Sequence, residues 1–151
     1  MLEHMITPFY RYADFTGRSR RREFWSFALL HLVITSVLVS LAISTGFSYR
    51  VLLQRAEFGG SLGVAAIAFF GILAMYALAV LVPTVAVNVR RLHDRDLSGW
   101  WCLGFVVLGA VPLLGWIGNV AYLVLMAMPG TEGANRYGND PRDPEVPEIF
   151  V

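Results

Sequence analysis

Residues 87–101, VNVRRLHDRDLSGWW, place a short charged segment between two long apolar stretches. Three arginines, two aspartates and one histidine lie within it. Charged side chains are costly inside a bilayer and common where a helix leaves it. The segment therefore predicts a membrane protein in which one helix ends near residue 87 and another begins near residue 100.

The overall composition agrees with a lipid environment. Of the 151 residues, 56% are hydrophobic and 15% are charged, and the mean hydropathy is +0.58. A soluble globular domain has about 25% charged residues. We therefore expect an all-α integral membrane helical bundle.

Apolar segments define a predicted transmembrane domain over residues 24–128. The first two segments are each long enough to cross a hydrocarbon core of about 30 Å. Pro112 divides the last apolar stretch into two short spans, although one tilted and kinked span is the alternative. The four predicted spans are residues 24–45, 62–87, 100–111 and 113–128.

The placement of the basic residues predicts the orientation. All 12 are arginines, and most lie in groups before the first span, after the second and after the last. The positive-inside rule assigns such groups to the cytoplasm, which favours four spans with both termini cytoplasmic and an external loop at 46–61. Residues 1–23 are a predicted basic and aromatic segment at the membrane interface. Residues 129–151 are a predicted turn-rich cytoplasmic tail.

Three motifs carry a family resemblance. They are FTGRSRRREFW at 15–25, RRLHDRDLSGWW at 90–101 and PGTEGANRYGNDP at 129–141. In this order they resemble the bacterial inner-membrane family of domain of unknown function 805, over about residues 7–141. The resemblance implies a small multi-span protein of the bacterial inner membrane and no particular activity. Where family members commonly have Gly-Arg after Leu-His-Asp, this chain has Arg95-Asp96-Leu97.

The arginines of the first two groups are candidates for binding anionic lipid. The guanidinium fork matches phosphate, and phospholipid headgroups lie at the depth of these residues. Arginines in the first turn of a helix oppose the helix dipole by a few tenths of a kcal/mol, so their presence calls for a reason. Orientation alone is the competing reason. The candidate residues are Arg18, Arg20, Arg21, Arg22, Arg90, Arg91 and Arg95.

Other polar residues are predicted to form a structural network. Arg90 and Arg91 precede Asp94 by four and three residues, so either can meet it on one helix face. Asp96 or Ser98 is expected to cap the next helix. Part of the tail is expected to fold back onto the same face. The predicted members are His31, His93, Asp94, Asp96, Asn135, Arg136 and Tyr137.

His31 is the one ionisable side chain inside a predicted span. A neutral histidine that forms a hydrogen bond between helices is the expected role, and a proton relay is the alternative. Together with glycines in the last spans, His31 motivates the alternative function of an oligomeric transporter or channel subunit.

The sequence predicts a protein that is not an enzyme and has no cofactor. A lipid-modifying enzyme would use His93 with Asp94 or Asp96, but neighbouring helical residues point about 100° apart. The histidines are scattered and the single cysteine, Cys102, has no companion ligands, so no metal site is expected. The expected partners are membrane lipids, a second copy or another membrane protein, and no nucleic acid.

Overall fold

The computed structural model describes residues 2–44 and 61–143, which contain five α-helices and no strand. The predicted all-α class is therefore confirmed. The predicted external loop lies, apart from Ser61, outside the described residues, as does the tail from residue 144. The helices are α1 (Leu2–Tyr10), α2 (Arg21–Ser44), α3 (Ser61–His93), α4 (Trp101–Ala110) and α5 (Gly115–Ala127).

Helices α2 and α3 are long and apolar enough to cross a membrane. Their apolar stretches are Arg21–Leu41 and Ala68–His93, whose most apolar 18 residues have mean hydropathies of 2.0 and 2.3. In each, only 17% of the most apolar 18 residues are buried inside the protein. Large side chains such as Leu32 and Met75, which are 64% and 73% exposed, point outward. Because the core helix of a soluble protein would be mostly buried, lipid is the environment that suits these surfaces.

Helix α3 runs past residue 87, the predicted end of the second span, to His93. The basic residues Arg90, Arg91 and His93 therefore lie in its last turn, where the helix dipole favours cations. A turn follows, in which Asp96 has a φ of 58°, a conformation that aspartate tolerates better than most residues. The predicted caps of the next helix are wrong, because α4 begins after Trp100 without a side-chain hydrogen bond at its N-cap.

Helices α4 and α5 form an antiparallel hairpin around the predicted break at Pro112. The rings of Phe105 and Tyr122 lie 5.5 Å apart, and Leu108 packs so closely on Gly118 that a Cβ there would overlap it. At 1.5 Å per residue, α4 and α5 are about 15 and 20 Å long. Each is shorter than a hydrocarbon core of about 30 Å.

The described residues form two compact units. One is Ala28–Leu81, within α2 and α3. The other, Met1–Phe27 with Val82–Val151, joins the beginning of α2 to the ends of α3 and α5. Its small apolar core consists of Phe24, Phe27, Val87, Leu92 and Met126.

Candidate functional site

An ionic cluster is buried in the second unit, beside this apolar core. Its side chains are at most 10% exposed. A buried charge is costly unless it is paired and hydrogen bonded, so such a cluster is stable only when its members are all present. We call it the buried ionic cluster; its members are Arg18, Glu23, Arg90, Arg91 and Asp94.

Asp94 is the centre of this cluster. Its Oδ1 accepts a hydrogen bond from Arg18 Nε at 2.9 Å, and its Oδ2 accepts one from Arg91 Nη1. One carboxylate thus holds two guanidinium groups. Gly130 lies directly against it, and a Cβ at this glycine would overlap the carboxylate.

Glu23 holds the third buried arginine. Arg90 Nη2 donates to Glu23 Oε1 at 2.9 Å, while Nη1 donates to the carbonyl of Asp14 at 2.5 Å. Ser19 Oγ donates to Glu23 Oε2 at 2.8 Å, and its backbone N–H donates to the Arg90 carbonyl at 3.1 Å. These bonds fasten the segment before α2 to the end of α3. The two arginine-rich motifs therefore lie on the same side of the protein.

The segment after α5 folds over the end of α3. Arg91 Nε donates to the carbonyl of Met126 at 3.1 Å, and its Nη2 donates to that of Met128. Further along, the Thr131 N–H donates to the Asp94 carbonyl at 2.9 Å. Arg18 also reaches this segment, through Nη1 to the carbonyl of Gly133 at 2.6 Å.

His93 is enclosed by the same segment. Its ring stacks on Tyr137 with centroids 3.8 Å apart and planes 4° from parallel. Its Nδ1 lies 3.2 Å from the Gly17 carbonyl oxygen, and its own carbonyl accepts a hydrogen bond from Asn135 at 2.9 Å. Arg136 lies over the Tyr137 ring at 5.0 Å and its Nε is 2.9 Å from an Asp96 oxygen. The surroundings of His93 are thus those of a packed side chain.

A second set of arginines, exposed except for the half-buried Arg20, lines a surface pocket of about 250 Å³. The guanidinium groups of Arg20 and Arg22 have no hydrogen-bond partner among the residues that the structure describes. Arg21 reaches the Ala127 carbonyl at 3.3 Å, and Arg142 pairs with Asp140 at 2.8 Å. We call this the arginine pocket; its lining is Arg20, Arg21, Arg22, Asp94, Gly130, Pro141 and Arg142.

The seven candidate anion-binding arginines thus have three kinds of surroundings. Arg18, Arg90 and Arg91 donate to buried protein acceptors. Arg95 donates to the Pro129 carbonyl. The other three, residues 20–22, line the arginine pocket.

Of the predicted polar network, six members gather at the end of α3, and His31 lies in the other unit. There, His31 Nδ1 is 2.5 Å from the Tyr76 hydroxyl, so the pair joins α2 to α3. This is the inter-helix hydrogen bond expected of a polar side chain in a span. Within residues 2–44 and 61–143, no three His, Cys, Asp or Glu side chains are grouped to hold a metal ion.

Sequence reasoning missed three residues of this region. Glu23 suits the first turn of a helix as an acid, but its partner Arg90 is 67 residues away, so no local pattern reveals the pair. The sequence predicts Arg142 and Gly130 only as members of the turn-rich tail at 129–151. Their proximity to Asp94 and to the first turn of α2 depends on how the tail folds back.

Two lipid-exposed helices, a short apolar hairpin and a buried ionic cluster at their common end define a helical integral membrane protein. The chain belongs to the family described as a protein of unknown function (DUF805), whose model matches residues 12–139. The resemblance drawn from the three motifs is therefore confirmed.

Curated relatives cover most of the chain. The inner membrane protein YhaI of Escherichia coli (strain K12) is 34% identical over 131 residues, 87% of this chain and 88% of its own length. The inner membrane protein YhaH of the same strain is 39% identical over 132 residues, 87% of this chain and 89% of its own. The uncharacterized protein YiiR is 31% identical over 148 residues, covering 86% and 87%. No solved structure matches this chain. The predicted location, a bacterial inner membrane, is confirmed.

Proposed function

We propose that this chain is a non-enzymatic inner-membrane protein whose cytoplasmic face binds anionic lipid. The observation that carries the proposal is a pair of guanidinium groups, those of the half-buried Arg20 and the exposed Arg22, that have no hydrogen-bond acceptor among the described residues. The apolar stretch of α2 begins at Arg21, so these side chains lie at the depth of phospholipid headgroups. Each basic residue near an anionic surface contributes about 1 kcal/mol.

The surroundings of these arginines also suit a membrane interface. Trp25, one turn into α2, is 40% exposed, and Tyr12 in the preceding segment is 41% exposed. Aromatic rings with a polar edge prefer the headgroup region. Exposed arginines and exposed aromatic rings thus occur together where α2 begins.

The orientation is part of the proposal. The segments before α2, after α3 and after α5 are hydrogen bonded to one another, and all three carry arginines. The positive-inside rule assigns this shared face to the cytoplasm, and with it both ends of the described chain. Helix α4 then enters the membrane from the cytoplasmic side, and helix α5 returns to that side.

The number of crossings depends on the α4–α5 hairpin. Four spans require its turn to reach the external surface, whereas lengths of about 15 and 20 Å favour a turn within the hydrocarbon core. Leu113, 87% exposed at the turn, is the position to label.

We would label Leu113→Cys, in a Cys102→Ala background, with a membrane-impermeant maleimide in intact spheroplasts. Labelling supports four spans, and protection supports a hairpin that enters and leaves from the cytoplasm. Glu132→Cys, in the folded-back segment, is the matched control. It should react only after permeabilisation, and its labelling in intact spheroplasts would contradict the proposed orientation.

The environment of His93 supports a role other than catalysis. Tyr137 covers one face of its ring, and the neighbouring Asp94 already binds two arginines. A general base needs access to its substrate and an orienting partner. Phospholipid incubated with the purified chain should keep its mass, and a conversion that His93→Ala abolishes would contradict this part of the proposal.

The lipid preference is tested with the full chain in detergent. We expect it to retain phosphatidylglycerol in preference to phosphatidylcholine in native mass spectrometry, and to do so less at high salt because exposed charges are screened. Equal retention of the two lipids would contradict the proposed function.

A further inference from the structure

The arginine pocket combines residues from two distant parts of the chain. The beginning of α2 contributes Arg20, Arg21 and Arg22, and the segment after α5 contributes Arg142. Its volume of about 250 Å³ is below the range of about 300–1,000 Å³ that is usual for sites of drug-sized ligands. A phosphate group with the first atoms of its ester suits a pocket of this size and charge.

One carboxylate also lines the pocket, but its charge is compensated. Both oxygens of Asp94 accept hydrogen bonds from the buried Arg18 and Arg91. The guanidinium groups of the pocket are additional to these two. The first N–H groups of α2 and the positive end of its dipole also favour an anion here.

Hydrogen bonds within the tail hold Arg142 in place. They do not use all of the N–H donors of its guanidinium group, so some remain available to a ligand in the pocket. The Asp140 carboxylate accepts hydrogen bonds from the Arg142 backbone N–H and Nε, both at 3.0 Å, and from Nη2 at 2.8 Å. The Gly133 N–H donates to the same carboxylate at 3.3 Å. A guanidinium held in this way needs little reordering when an anion binds.

The backbone between α5 and Arg142 can approach because residue 130 is a glycine. A Cβ at Gly130 would overlap the Asp94 carboxylate. A larger residue would push this segment, and with it Arg142, away from the first turn of α2. The pocket is therefore a product of the folded-back segment and not of α2 alone.

We propose that the arginine pocket binds one phosphate group of an anionic lipid, with Arg20, Arg22 and Arg142 donating to its oxygens. The lipid as the source of the phosphate rests on the proposed function, because the pocket lies where α2 enters the membrane. Free phosphate has the same chemistry, and the experiment must separate the two sources.

The test uses the full chain in nanodiscs and counts bound molecules by native mass spectrometry. The bilayers are phosphatidylcholine alone, phosphatidylcholine with phosphatidylglycerol, phosphatidylcholine with phosphatidic acid, and phosphatidylcholine with phosphatidylglycerol and added inorganic phosphate. Wild-type chain should retain one anionic lipid, and inorganic phosphate should not displace it. Displacement of the lipid by inorganic phosphate would overturn the assignment to lipid.

Two variants test the pocket, and a third is their matched control. Arg22→Gln and Arg142→Gln should each lower retention of the anionic lipid about tenfold, as expected for one lost charged hydrogen bond. Arg136→Gln removes the same charge from the same tail, but Arg136 pairs with Asp96 outside the pocket. Its retention should stay within about twofold of wild type, since an exposed ion pair contributes little.

The outcomes separate the pocket from the general proposal. If wild type shows no preference for anionic lipid, the proposed function fails. If the preference is present but Arg136→Gln lowers it as much as Arg142→Gln, the face binds lipid by diffuse charge and the pocket is overturned. Thermal unfolding midpoints close to that of wild type show that each variant is folded.

Discussion

Arg91 and Arg22 lie near the same end of the protein, yet their surroundings are opposite. The Arg91 side chain is fully buried, and all three of its guanidinium nitrogens donate to protein oxygens. Arg22 is exposed and has no acceptor among the described residues. A motif rich in arginine therefore contains two populations, one that joins helix ends and one that can meet an external anion.

The energetic difference between these populations is large. Removing a guanidinium and a carboxylate from water costs several kcal/mol per ion, which is recovered only when geometry and hydrogen bonds are complete. An exposed arginine has no such cost and contributes little to stability. Substitutions that are chemically identical should therefore have unequal effects in the two regions.

The largest effect is expected for Asp94→Asn. The change removes the charge that holds Arg18 and Arg91 and leaves two buried cations unpaired, which should cost about 3–5 kcal/mol. Thermal or denaturant unfolding of the purified chain in detergent measures it.

Asp96→Asn is the matched control for Asp94→Asn. Asp96 pairs with Arg136 through side chains that are 45% and 60% exposed, so its loss should cost less than about 1 kcal/mol. Similar unfolding midpoints for the two variants would contradict the division into buried and exposed pairs.

An intermediate effect is expected when lysine replaces arginine. Arg91→Lys keeps the charge but cannot reach Asp94 and the carbonyls of Met126 and Met128 together. Loss of one charged hydrogen bond should lower the free energy of unfolding by about 2 kcal/mol.

The same substitution at Arg22 should change the free energy of unfolding by less than about 0.5 kcal/mol, because no hydrogen bond is lost. Measuring the two lysine variants side by side sharpens the comparison. An Arg22→Lys variant as unstable as Arg91→Lys would place Arg22 in the buried set.

A pH-dependent effect is expected for Asp14, at the edge of the buried ionic cluster. Burial alone would raise the pKa of its carboxyl, but hydrogen bonds from Thr16 and Arg11 outweigh it and lower the pKa from 3.8 to about 2. A carboxyl with a lowered pKa stabilises the fold above its unfolded-state pKa and loses this contribution as the pH falls through the folded-state value.

The stability difference between wild type and Asp14→Asn should therefore be constant above about pH 5 and shrink toward about pH 2. Unfolding midpoints of both proteins over this range measure it. A difference that grows as the pH falls would contradict the lowered pKa.

The two helices long enough to cross a membrane and the grouping of arginines beside them were accessible from the sequence. Both depend on local properties, namely the length of an apolar run and the charges that flank it. The pairing of Arg91 with Asp94 was within reach too, since the two residues lie three apart and the helix continues through Arg91. The pairing of Arg90 was not, because Glu23 belongs to another helix.

The sequence by itself determined that this chain enters a membrane, that its apolar runs form helices and that its arginines gather beside them. Hydropathy and flanking charge determine membrane insertion through each segment's own interaction with water and lipid. They can therefore be read without knowing which segments contact one another. The tertiary structure alone decided which arginines are buried and which remain available. Whether an arginine is buried depends on hydrogen-bond acceptors up to 115 residues away, such as the Gly133 carbonyl, which accepts a hydrogen bond from Arg18. Only the folded chain brings such residues together.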